Sequence, residues 1–231
     1  MLTALDMAIL VGIAFAVVLV VEPVWSFLRV VLETVGVGKT AQHMAGQLTF
    51  TALFAAAFVG AFQVVGRRRR GVPLKRIGLV KPKRGMLAIG LVSGLASYAV
   101  IGLVDGAVST SLGRALMDNP RVFAEGFTPT WYSVALSLAV STAIVPFIEE
   151  FFFRGVLFGW LKEHVPVIPA LVLSALAFSA YHENLDYLLS LFVFGLVLGW
   201  VYLRTKSLWP AVIAHGTYNL VIDLYGYLST G

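Results

Sequence analysis

The first 24 residues after Thr3, ALDMAILVGIAFAVVLVVEPVWSF, contain only two charged side chains. Runs of this kind recur along the chain and limit what it can fold into. A stretch of about 20 apolar residues covers the ~30 Å hydrocarbon layer of a bilayer. The reading is a polytopic helical membrane protein, with a soluble all-α fold a distant second. Of the 231 residues, 59% are hydrophobic and 13% charged. Soluble domains carry about twice that charge.

Apolar length and charged breaks place spans at 5–27, 45–66, 86–112, 131–161, 167–183, 186–203 and 208–228. The expected class is all-α, a polytopic transmembrane bundle of seven helices. An eighth follows if a long segment splits or part of 28–44 re-enters. The short connections suggest one membrane-embedded domain, 1–231, with 131–228 as its compact core and 1–112 as a more peripheral part. The first span has no basic leader and no small-residue cleavage site, so it is read as retained. Gly90/Gly94 and Gly195/Gly199 have the spacing of close helix packing within the monomer. They leave the oligomeric state undetermined.

Nine of the seventeen Lys and Arg residues fall between Arg67 and Arg84. At the end of a span such a cluster marks the cytoplasmic side rather than a nucleic-acid site. Seven spans with a cytoplasmic N-terminus make every loop agree with this. A multi-pass protein of the cell inner membrane is the expectation for a prokaryotic chain. The absence of cysteine excludes disulfides, thiolate ligands and cysteine nucleophiles.

Against this background VPFIEEFFFRGVLFGWL, residues 145–161, is expensive. A charge at mid-bilayer costs about 2.5–3.5 kcal/mol on insertion scales, and here Glu149, Glu150 and Arg154 share one span. Glu150 and Arg154 are one helical turn apart and can pair. Glu149 points about 100° away and has no local partner. With the helix running to Leu161, Glu149 lies about 18 Å from the span's end. Pro146 cannot donate to Thr142 and should kink the helix just before the pair. His182, in FSAYHEN, and His215 and Asn219, in HGTYN, add polar groups at depths of roughly 24 and 10 Å for the two histidines. His43 and His164 fall in loop-like settings. A glutamate, two histidines and an asparagine on three helices suit hydrolysis by activated water. Glu149 would act as base, and imidazole or amide groups would hold a metal or an oxyanion. The chain has no H-E-x-x-H signature and no compelling Ser-His-Asp order.

The elements EEFFFR, FSAYH and HGTYN, in that order within Glu149–Asn219, resemble the three motifs of the CPBP intramembrane proteases. That family includes CAAX prenyl endopeptidases and bacteriocin-processing or immunity (Abi) proteins. The resemblance implies that Glu149 activates water and that Glu150, Arg154 and Phe178 support the site. It implies that His182 binds the water or a metal, and that His215 and Asn219 serve the oxyanion or that metal. A divalent ion such as zinc on His182 and His215 and a metal-free, glutamate-dependent route both stay open, the second being preferred. The expected partners are the bilayer and a membrane-associated protein or peptide, prenylated or not, and no nucleic acid. A non-catalytic immunity or scaffold protein and a proton-coupled transporter are the competing readings. The transporter lacks the internal repeat many transporters carry.

Overall fold

The computed structural model describes residues 2–111, 129–182 and 185–229. Among them all regular structure is helical. The helices are α1 (Ala4–Thr34), α2 (Lys39–Arg69), α3 (Met86–Ser111), α4 (Trp131–Leu161), α5 (Val167–Tyr181), α6 (Leu185–Thr205) and α7 (Leu208–Ser229). These are seven helices among the described residues, at the positions the apolar runs indicate. α1 reaches well past residue 27, and 35–38 forms the turn into α2. His43 therefore lies inside α2, not in a loop, because the helix begins at Lys39 ahead of the apolar run.

Five of the seven, all but α5 and α7, are long and apolar enough to cross a membrane. α5 has 15 residues, about 22 Å at 1.5 Å per residue. α7 has the length but carries His215, Asn219 and Asp223. The two helices least suited to lipid are the two that carry the histidines of the motifs. Many large apolar side chains face outward along the helices. Leu19, Leu103 and Trp131 are each more than 70% exposed, whereas Glu150 and Arg154 are fully buried. Such an inversion fits a chain whose surroundings are hydrocarbon.

The described residues pack as two units, 2–72 with 129–148 and 73–111 with the described part of 149–229. In the first, α1 starts with a capping box. Thr3 accepts from the Asp6 N–H, and the Asp6 carboxylate accepts from the Thr3 N–H. The same carboxylate, fully buried, pairs with Arg70 at 2.6 Å, which ties the start of α1 to the end of α2. A Cβ on Gly46 would lie 2.9 Å from the Trp25 ring, so α1 and α2 pack closely there. Ser137 on α4 donates to Gln47 on α2 at 3.1 Å.

In the second unit α3 lies against α7. A Cβ on Gly90 or Gly94 would come within 2.4–2.5 Å of the Pro210 and Ala214 carbonyl oxygens. A Cβ on Gly195 of α6 would lie 3.0 Å from Ala175 of α5, and one on Gly199 2.4 Å from the Leu171 side chain. Both small-residue pairs thus serve packing within the chain, as their spacing suggests. The segment 73–80 crosses the ends of α6 and α7. The Leu208 N–H donates to the Gly78 carbonyl, and the Ser207 hydroxyl to the Val80 carbonyl. Gly78 turns the chain at φ +83°, and a Cβ there would lie 2.5 Å from the Tyr202 ring.

α4 is not a uniform helix. Val140–Ile144, just before Pro146, and Phe151–Phe158, just after the glutamates, are π-helical. A π turn before a proline absorbs the missing N–H and the clash with the preceding carbonyls. Thr142, whose carbonyl Pro146 cannot bond, lies within the first of these π segments.

Candidate active site

The second π segment starts immediately after Glu150 and contains Arg154. Single-turn π bulges are common at functional sites. Glu150 accepts from Arg154 Nη1 at 3.0 Å, which is the turn-to-turn pair its spacing suggests. Arg154 also donates through Nη2 to the Gly195 carbonyl on α6, at 3.1 Å. Its guanidinium carbon lies 4.4 Å from the Phe178 ring centroid, a cation–π contact inside an apolar shell.

Sequence reasoning missed the next link. His215 Nδ1 lies 2.9 Å from Glu150 Oε1. An ionised carboxylate can only accept, so Nδ1 carries the proton in this bond. Glu150 thereby fixes the ring of His215 and turns Nε2 toward Glu149, whose Oε2 is 3.7 Å away. That separation is an ion-pair distance, too long for a hydrogen bond. Glu149 is 5% exposed and His215 4%. The acid that lacks a partner on its own helix meets one on α7.

Phe178 lies at the centre of the cluster. Its ring centroid is 4.7 Å from that of His182, 5.8 Å from His215 and 5.3 Å from Phe153. His182 caps α5, and its Nδ1 lies 2.8 Å from the Phe178 carbonyl. A carbonyl only accepts, so the proton sits on Nδ1 and Nε2 keeps its lone pair. The structure thus brings together Glu149, Glu150, Arg154, Phe178 and His215, with His182 joined through Phe178. Asn219 lies one turn beyond His215 on α7 and is half-buried.

A zinc site needs about three protein ligands and a water. Among the described residues no three His, Cys, Asp or Glu side chains are grouped to hold a metal ion. The donors do not fit that requirement.

A second polar contact carries no sequence signal. Asp105 of α3 accepts from Ser190 of α6, and Tyr218 of α7 lies within electrostatic reach of Asp105. Tyr218 packs on Phe194 at 4.3 Å, and Phe194 on His215 at 5.2 Å. A lone acid near the end of a span belongs to no recognisable pattern.

Residues 130–221 match the family model described as type II CAAX prenyl endopeptidase, Rce1-like. This segment is similar to that family. It contains Glu149, His182, His215 and Asn219, and the resemblance carried by the three motifs holds over it. Over 90 residues the chain is also 32% identical to the "Putative membrane peptidase YdiL" of Bacillus subtilis (strain 168). That alignment covers 39% of this chain and 37% of the relative, little more than a third of each. No solved structure matches the chain. These likenesses support a membrane protease in general terms, and the match lies on the helices that carry the polar cluster.

Proposed function

We propose that the chain is an intramembrane endopeptidase in which Glu149 activates water for attack on a peptide bond. The observation that carries this reading is the 3.7 Å approach of His215 Nε2 to the Glu149 carboxylate, with Nδ1 of the same ring held by Glu150.

In this reading Glu149 takes a proton from water as the hydroxide adds to the carbonyl carbon. His215, in its doubly protonated form, and the Asn219 amide donate to the oxyanion. The C–N bond then breaks, and the proton held by Glu149 passes to the departing amine. His182, with a lone pair on Nε2, would accept from the attacking water and orient it.

The substrate class that fits is a membrane-associated peptide or lipidated protein entering between helices. The prenylated C-termini named in the family description are one such class. The test is capture of substrate by the Glu149→Gln protein in native membranes, then incubation of the captured peptide with the wild type. Cleavage by the wild type and none by Glu149→Gln is expected. Equal cleavage by both removes the proposed base, and an unchanged phenotype in Glu149→Gln cells favours a non-catalytic scaffold.

A further inference from the structure

The second unit has one strongly basic end. Residues 73–85 contribute five basic side chains, 162–166 contributes Lys162, and 204–207 contributes Arg204 and Lys206. Glu163 is the one acid in these three connections, and it is engaged by Arg76 at 2.7 Å. Bonds across them show that they share one face. Arg76 reaches Glu163, Leu208 N–H and Ser207 reach Gly78 and Val80, and the Lys162 ammonium lies over the Phe158 and Tyr202 rings at 4.9 and 5.2 Å. Lys75, Lys81, Lys83 and Arg84 are exposed on it. The helices of this unit hold no Lys or Arg along 86–111, 167–181 or 208–229, and carry Asp105, Asp186 and Asp223 toward the other end. Charge is thus segregated along the bundle axis. The basic face lies where the spans end, at headgroup depth.

We infer that the strap 73–84, with Lys162 and Lys206, is a binding site for anionic lipid headgroups and couples that lipid to the turn of α4 that carries Arg154. The coupling is steric. A Cβ on Gly155, next to Arg154, would lie 2.9 Å from the Ile77 carbonyl and 3.2 Å from the Ile77 side chain. The strap therefore rests on the π turn itself, and its backbone is tied to α7 at Leu208. A headgroup phosphate bridging Lys81, Lys83 or Arg84 holds the strap down on that turn. Flexible lysines suit such a diffuse surface, since each acts as a point charge that needs no fixed fork geometry.

The test uses the full chain in nanodiscs of phosphatidylcholine, with or without phosphatidylglycerol. Amide exchange is followed over 74–84, and co-isolated phosphatidylglycerol is measured by native mass spectrometry. Phosphatidylglycerol should slow exchange in the strap, and high salt should reverse the effect. Each neutralised charge should lower headgroup affinity about fivefold. The variant K75Q/K81Q/K83Q/R84Q should lose about 600-fold in lipid enrichment and all of the exchange difference, while α3 and α7 keep their exchange rates as evidence of an intact fold. Gly155→Ala should speed strap exchange without removing the bound lipid. Identical strap exchange in both nanodiscs overturns the inference. So does equal slowing by inorganic phosphate in phosphatidylcholine discs, which would make the site one for free anions. None of these readouts depends on the protease reading.

Discussion

Each unit of the molecule buries charge, and each treats it differently. Asp6 in the first unit has a fully buried side chain, and its carboxylate is saturated. It accepts from the Thr3 N–H and hydroxyl and from Arg70, with Arg69 nearby at 3.8 Å. Glu149 in the second unit is nearly as buried, accepts no hydrogen bond among the described residues, and faces His215 at 3.7 Å. The first acid is outnumbered by cations. In the second cluster two acids share one arginine and a histidine. A saturated carboxylate holds helices together and has no lone pair to spare, whereas an unsaturated one beside an imidazole can take a proton. On the proposed reading, the contrast sets a structural buried charge beside a chemical one without appeal to the motifs.

The contrast is broken most directly at Glu149. Glu149→Gln keeps size and shape and removes the base, so turnover of a captured substrate should fall by about 10²–10⁴-fold with the unfolding transition unchanged. A variant that loses its fold instead would place Glu149 with Asp6 among structural charges.

Arg154 tests the shared cluster from the cation side. Arg154→Met strands the Glu150 carboxylate in an apolar shell, and breaking one side of a buried pair costs about 3–5 kcal/mol. Denaturation in detergent should show the loss. The double variant Glu150→Gln with Arg154→Met should recover part of it, since no charge is then left unpaired. Equal stability of the two variants would mean that water reaches Glu150.

How much of this was legible beforehand follows from what each feature demands of the sequence. The spans were, because a bilayer requires a run of fixed length whatever its neighbours do. The Glu150–Arg154 pair was, because four residues make one turn. The Glu150–His215 bond was not. It joins residues 65 positions apart, and no spacing rule says which acid of an adjacent pair will meet α7. The residue pattern therefore left Glu150 a partner to Arg154 alone and Glu149 without one. The π turns have no composition of their own, and only Pro146 hinted at the first. Asp105 went unnoticed because an acid near a span's end usually faces water. The packing of α3 along α7 was hidden as well, although the glycines that make it close were visible.

Asp6 supplies the milder test. Asp6→Asn retains some capping but loses the ion pair with Arg70, so it should lower the unfolding midpoint by less than Arg154→Met does. Specific activity per folded molecule should stay at the wild-type level. A loss of activity at full stability would overturn the division between the two kinds of buried charge, because a saturated acid would then be feeding the chemistry.

The smallest effect should come from the pair Glu33–Lys39, which joins α1 to α2 at 2.7 Å with both side chains about half exposed. Its distance nearly equals the 2.6 Å of the buried Asp6–Arg70 pair, yet water screens it and two flexible side chains must be ordered to form it. Lys39→Ala should therefore leave both the unfolding midpoint and the activity indistinguishable from wild type, at low and at high salt. If it instead destabilises as much as Asp6→Asn, distance alone would be setting the strength of these pairs. Burial and hydrogen-bond saturation would then lose their claim to distinguish Glu149 from the other acids of the chain.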